Sequence, residues 1–251
     1  MRVKLVVAYD GTNYCGWQIQ PNGVTIEEEL NKALSDLLKE DIKVSGASRT
    51  DAGVHSLGNI AIFDTNTLMA ADKISFAVNQ RLPEDIVVQS SEQVPDDWNP
   101  HTVESVKTYE YRIFNAKFRM PTERLYSYFY HHTLDVSAMQ QAAKYLEGEH
   151  DFTSFASVKA QVNSFVRTLY DVSVRTEGDM IIIKCVGNGF LYNMVRIIAG
   201  TLIRVGEHKI MPEEMENILN ACDRECAGPT APPMGLTMIS WVESESDSKN
   251  A

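Results

Sequence analysis

Apolar positions in this chain recur first with a strand-like period and then with a helical one, and the alternation continues to the end. Val3 to Tyr9 is rich in apolar and β-branched residues and stops at Asp10-Gly11-Thr12, so it reads as a buried strand closed by a turn. Between residues 25 and 39, Ile26, Leu30, Ala33, Leu34, Leu37 and Leu38 fall at helical intervals and form one apolar stripe. Thr25 and Glu28 have the spacing of a capping box at its start. Lys43 to Ser45 reads as a short strand, Asn59 to Asp64 as the next, residues 72–81 as a second helix and Ile86 to Val88 as a further strand.

The same kinds of element then return. Residues 106–114 alternate like a strand, Ser137 to Leu146 is an amphipathic helix, and Val166 to Arg175 with Met180 to Val186 forms a hairpin through Glu177-Gly178-Asp179. A strongly apolar helix is predicted over 190–205, a shorter one over 213–221, and a closing strand over Met238 to Val242. The fold class expected is α+β, with two topologically similar halves, 1–100 and 101–243, and a polar, fraying tail at 244–251. Trp98-Asn99-Pro100-His101 marks the crossing, and no sequence repeat accompanies it.

Bulk properties narrow the class only a little. At 251 residues, 44% hydrophobic and 23% charged, the chain has the composition of an ordinary globular protein with material for one large or two compact domains. A net charge of -11 argues against a wholly basic surface, yet 23 Lys and Arg can still line a local basic cleft. The opening Met-Arg-Val-Lys-Leu-Val-Val has no h-region or cleavage site, and no apolar run reaches transmembrane length. A cytoplasmic chain with reduced thiols and no membrane partner is expected. Of four cysteines only Cys222 and Cys226 are close, without the further ligands a structural zinc requires. On a helix their spacing places both thiols on one face, packed as small hydrophobes.

Three features could carry chemistry. In Arg49-Thr50-Asp51 the i, i+2 spacing of an extended segment points both charges to one side, and a guanidinium beside a carboxylate keeps it ionised. Gly53 follows where the backbone must turn tightly. An ordinary surface ion pair on a loop fits the same spacing. In the 190–205 helix, with Leu191 at the centre of the buried stripe beside Val195, Ile198 and Leu202, Arg196 falls on the far face between Ile197 and Ile203. A buried arginine requires an anionic partner, at an active site or in a structural ion pair, and Gly200 one turn on leaves room for something to approach. In Lys107-Thr108-Tyr109-Glu110-Tyr111-Arg112, Lys107, Tyr109 and Tyr111 share one strand face, suited to stacking bases and meeting phosphates or simply to filling a core. Phosphate-binding loops, dinucleotide fingerprints and His-Glu-x-x-His are absent. His131-His132 sits on an expected strand, which would point the two rings apart. Nothing in the sequence calls for a metal or an organic cofactor.

At these residues the chain resembles the tRNA pseudouridine synthase A (TruA) family over nearly its whole length. The matching runs are Tyr9-Asp10-Gly11-Thr12-x-Tyr14-x-Gly16-Trp17-Gln18-x-Gln20-Pro21, Arg49-Thr50-Asp51-Ala52-Gly53-Val54-His55 and Lys107-x-Tyr109-x-Tyr111. They continue with Gly148-x-His150-Asp151-Phe152, Phe190-Leu191-x-x-Met194-Val195-Arg196 and Ala231-Pro232-x-x-Gly235-Leu236. The resemblance implies an isomerase that detaches uridine from its ribose at N1, rotates it and rejoins it through C5, with no cofactor. It implies Asp51 as the nucleophile, Tyr109 in contact with the target base, Arg196 paired with Asp51, Arg49 holding the flipped nucleotide out of its stack and Leu236 packed on the base. It further implies two ferredoxin-like (RRM-like) halves with antiparallel sheets around a central active-site cleft, a homodimer, and tRNA as partner, with uridines 38, 39 and 40 of the anticodon stem-loop as targets. Ser48 stands where a glycine is usual in the family and Asn193 where a histidine is frequent. Alternative readings are a related synthase acting on another RNA, a non-catalytic RNA-binding module, and a glycosidase built on Asp51. The last needs a second carboxylate within about 10 Å, and no motif supplies one.

Overall fold

The computed structural model describes residues 1–158 and 162–244, so the expected tail lies outside the described residues apart from Ser244. The fold is mixed α+β, and the described residues separate into two compact units: Met1–Ser105 together with Met238 onward, and Val106–Thr237. Among the described residues no helix is long and apolar enough to cross a membrane.

In the first unit, strand β1 (Arg2–Tyr9) alternates strictly, turning Val3, Leu5, Val7 and Tyr9 inward. It pairs antiparallel with β3 (His55–Asp64) on one side and β4 (Ile86–Val94) on the other. The two-residue β2 (Ser45–Gly46) adds to β3 at Ala61 and Ile62, and the last strand, β10 (Leu236–Glu243), also lies beside β3. Helices α1 (Ile26–Leu38) and α2 (Ala71–Val78) cover the inward face; Ile26, Leu30, Leu34, Ile74 and Val78 complete a core with Val3, Leu5, Val7, Ile86 and Val88. Thr25 caps α1 by accepting from the Glu28 amide at 3.4 Å, and Glu27, Glu28 and Glu29 complement the positive end of the helix dipole.

In the second unit, β5 (Ser105–Asn115), β9 (Met180–Gly187), β8 (Val166–Glu177) and β7 (Gly148–Asp151) follow one another in antiparallel order. The short β6 (Tyr128–Tyr130) pairs parallel with the end of β5. Gly178, at φ +61, makes the β8–β9 turn. Helices α3 (Val136–Lys144), α4 (Met194–Gly206) and α5 (Glu214–Asn220) complete the unit.

The differences from the sequence reading have physical causes. Strand β3 starts at His55, four residues before the expected Asn59, because its first residues are polar yet buried: His55, Ser56 and Asn59 lack the apolar signal of a strand. Strand β4 runs on to Val94 through polar residues that are mostly exposed. Helix α4 starts at Met194, not 190, because Asn193 takes a left-handed conformation (φ 63) that no α-helix continues through. Leu191 is buried but precedes the helix, so it cannot centre a helical stripe.

Candidate active site

The loop carrying Arg49 and Asp51 is built by the turn that follows β1. Ser48 and Thr50 are buried, Arg49 is exposed and Asp51 half-buried, the in–out alternation expected of an extended segment. Thr50 is fixed through its hydroxyl, 2.7 Å from the Tyr9 hydroxyl. The loop backbone is held from three directions. The Trp17 amide donates to the Thr50 carbonyl (3.1 Å), the Gly53 amide to the Tyr14 carbonyl (3.2 Å), and the Asn59 side-chain amide to the Ser48 carbonyl (2.9 Å). The Val54 amide closes the turn on the Asp51 carbonyl at 3.2 Å, with Gly53 at φ +77.

Two glycines permit this approach. A β-carbon on Gly16, which sits at φ +92, would come within 2.5 Å of the Thr50 carbonyl oxygen and 3.0 Å of the Asp51 carbonyl carbon. A β-carbon on Gly11 would overlap the Val54 carbonyl oxygen. Beyond the loop, buried His55 places Nδ1 3.1 Å from the Gly11 amide and 3.1 Å from Asp10 Oδ1, which pins the end of β1 to the start of β3. From spacing alone, Asp10-Gly11-Thr12 is the turn that closes β1. Its second task, backing the Asp51 loop, is set by contacts across some forty residues and leaves no local signal.

The remaining candidates belong to the second unit. On α4, Arg196 is half-buried among residues that are otherwise almost all buried. Its Nε donates to the Ala231 carbonyl (2.8 Å) and its Nη1 to Asn193 Oδ1 (2.8 Å), while the Ala231 amide returns a bond to the Arg196 carbonyl (3.0 Å). The room expected at Gly200 is filled by the chain itself: a β-carbon there would overlap the Pro229 carbonyl oxygen. The Gly228 amide bonds Thr201 Oγ1 at 2.9 Å, so residues 228–231 run strapped along the helix and seat the guanidinium.

Tyr109 and Tyr111 part company in role. Tyr109 packs edge-on against Phe190, ring centroids 5.0 Å apart. Tyr111 is wholly buried; its hydroxyl donates to the Pro232 carbonyl at 2.8 Å, and Gly235 fits against its ring. Burial pushes the Tyr111 hydroxyl far above the ordinary tyrosine range, with Arg196 pulling the other way. Tyr111 is thus a core residue that ties β5 to the 232–235 turn. Leu236, buried, follows that turn at the start of β10. Arg49 and Asp51 therefore share one loop of the first unit, while Tyr109, Arg196 and Leu236 sit on β5, α4 and the 231–236 segment of the second.

Two other expectations are corrected. Strand β6 ends at Tyr130, and the rings of His131 and His132 lie 3.8 Å apart instead of pointing opposite ways. Cys222 and Cys226 do not share a buried helical face: both are exposed, Cys222 at φ 48 and Cys226 at the end of a short 3-10 turn. Among the described residues no group of three or more His, Cys, Asp or Glu side chains is placed to hold a metal ion. The Gly148-x-His150-Asp151-Phe152 run is structural: Asp151 Oδ1 accepts from the Thr153 amide (2.9 Å) and hydroxyl (2.6 Å), and Phe152 is fully buried.

Comparison with known proteins adds a family. The sequence pattern of a family described as tRNA pseudouridine synthase matches residues 5–101 and 142–241. A protein named tRNA pseudouridine synthase A from Brevibacillus brevis is 49% identical over 237 residues, spanning 94% of this chain and 97% of its own. Proteins of the same name from Thermoanaerobacter sp. and Ruminiclostridium cellulolyticum are each 47% identical, over 96% and 95% of this chain and 98% of theirs. Among solved structures, a chain in the crystal structure of a Cbf5-Nop10-Gar1 complex matches 94% of this chain and 47% of its own with 11% identity and a TM-score of 0.32, too faint to bear on the fold.

Proposed function

This chain belongs to the tRNA pseudouridine synthase family and is an isomerase that converts uridine to pseudouridine in tRNA; from that premise we propose that its targets are uridines 38, 39 and 40 of the anticodon stem-loop and that Asp51 is the nucleophile. The observation that carries the residue assignment is the braced loop: its backbone is held by Trp17, Tyr14 and Asn59 while Arg49 stays exposed and Asp51 only half-buried. A carboxylate held in this way keeps its position through the reaction without reorganising, as covalent catalysis requires.

The other roles follow the chemistry of each side chain. Arg196 is the counter-ion that keeps Asp51 ionised, its fork oriented beforehand by Ala231 and Asn193. Tyr109 meets the target base and Leu236 packs on it. Arg49, exposed beside Asp51, braces the nucleotide once it has left its stack, an extrusion that costs a few kcal/mol. No cofactor enters this scheme. The first unit, with elements in the order β1-α1-β2-β3-α2-β4 and strands in the order β4-β1-β3-β2, supports a ferredoxin-like reading; β5-α3-β8-β9-α4 with β5, β9 and β8 adjacent supports the same in the second. A cytoplasmic homodimer acting on the tRNA body as well as the stem-loop completes the proposal.

The test uses tRNA carrying 5-tritiated uridine, because rejoining through C5 expels the C5 hydrogen. Wild type should release tritium and Asp51→Asn should lose about four orders of magnitude in rate or more while still binding tRNA. Equal release from both proteins would remove Asp51 from the chemistry.

A further inference from the structure

Lys107 has no role in this scheme, although it stands two residues from Tyr109 on the same strand and face. It is half-buried, and among the described residues no carboxylate and no hydrogen-bond acceptor meets its ammonium group. The charged group that does act on it has the same sign. Burial pushes the Lys107 amine below the ordinary lysine range, and Arg167 pushes it further.

The backbone explains how two cations come close. Lys107 on β5 is in register with Gly187 on β9, and Gly187 with Leu169 on β8. A β-carbon on Gly187 would come within 2.7 Å of both the Leu169 side chain and the Thr168 carbonyl, so the glycine draws the end of β8 in. Asn188 fixes that approach with two bonds to Thr168, amide to carbonyl at 3.1 Å and Oδ1 from amide at 3.0 Å. Arg167 then lies along Gly189, where a β-carbon would sit 3.4 Å from its Cδ and Nε. The next residue, Phe190, is the one packed on Tyr109. The turn 187–190 therefore leads from beside Lys107, past Arg167, to the ring of Tyr109. Arg167 is half-buried and uses Nη1 on the carbonyls of Ser164 (2.9 Å) and Val166 (2.6 Å), with no carboxylate on its fork among the described residues. Two half-buried like charges repel and gain from an anion that meets both.

We infer that Lys107 and Arg167 together form a binding site for one backbone phosphate of the RNA, next to the target uridine. The inference rests on Tyr109 as the base-contacting residue, because that contact brings the flanking phosphate to this end of β5. A phosphate held there fixes the register of the strand on the enzyme without reading its sequence.

The experiment measures binding of an anticodon stem-loop RNA in which single phosphates around the target uridine are replaced in turn by neutral methylphosphonates. With wild type, one position should weaken binding about tenfold or more, the effect of losing a hydrogen-bonded charge contact. With Lys107→Gln and with Arg167→Gln the all-phosphate RNA should bind correspondingly weaker, and the penalty at that one position should vanish in both. Lys107→Arg should restore it. The salt slope of log K should fall by about one for each Gln variant. Melting temperatures of the variants separate this from unfolding. Unchanged penalties in both Gln variants, or wild-type affinity in either, would overturn the phosphate site. A penalty that vanishes in the Gln variants while Tyr109→Ala leaves tritium release and binding intact would retain the phosphate site and instead reject Tyr109 as the base contact.

Discussion

The candidate residues of the two units are held by different means. The Asp51 loop is fixed mostly through its main chain, by the Trp17 amide, the Tyr14 carbonyl, the Asn59 side chain and its own Asp51 carbonyl, with the Thr50 hydroxyl added on Tyr9 and with Gly11 and Gly16 allowing backbone to meet backbone. Arg196, Tyr109 and Tyr111 in the second unit are fixed through their side chains, by a carbonyl, an amide side chain or a ring. The contrast suits the charges concerned. A carboxylate on a short side chain can move little once the main chain that bears it is fixed. A guanidinium has five donors, and each one satisfied by a fixed acceptor removes a degree of freedom. The first group should therefore be sensitive to changes that never touch Asp51, and the second to changes in the side chains themselves.

Gly16→Ala tests the first half of that contrast most severely. The new methyl group meets the Thr50 carbonyl at 2.5 Å from a backbone at φ +92, so the loop must move or the turn must refold. We expect tritium release to drop by about a hundredfold from misplacement of the carboxylate, with a lowered melting temperature. A variant that reacts at the wild-type rate would show that the loop is not braced in this way. Arg196→Lys comes next. It keeps the charge but gives up the oriented fork on Ala231 and Asn193, and kcat should fall about tenfold while tRNA affinity holds. A loss of affinity with kcat preserved would move Arg196 from the reacting centre to RNA binding.

Smaller effects are expected from residues that serve the scaffold alone. Tyr111→Phe removes one buried hydrogen bond to the Pro232 carbonyl and should cost about 1 kcal/mol in urea denaturation, with tritium release little changed. A large rate effect would return Tyr111 to the site. Thr25→Ala removes the cap of α1, a bond confined to the helix's own first turn. It should cost about 1 kcal/mol of stability, visible in the same denaturation curve, and nothing in rate.

The sequence was most legible where local physics decides the outcome. The α1 stripe and its Thr25 cap, the alternation of β1 and β5, and the hairpin at Gly178 all follow from neighbours within a few residues. It was least legible where polar residues are buried or one backbone angle intervenes. His55, Ser56 and Asn59 concealed the start of β3, and Asn193 ended an apolar periodicity that looked helical from 190. The site followed the same division. The spacing of Arg49 and Asp51 implied one shared side, and both are more exposed than Ser48 and Thr50, but the strap on Arg196 could not be read, because Gly200 announces a close approach without saying by what. For Tyr111 the plain alternative of a core tyrosine was correct.

The strap also gives the enzyme a built-in reporter. The amide proton of Ala231 is bonded to the main-chain carbonyl of Arg196, and the Ala231 carbonyl holds the Arg196 side chain. Exchange of that one proton with deuterated solvent requires the strap to lift from the helix, and lifting it also takes the Ala231 carbonyl away from Arg196 Nε. The exchange rate at residue 231 therefore measures how often the arginine loses that bond, and slowing of that rate on adding tRNA would register the strap tightening on the helix without any chemistry taking place.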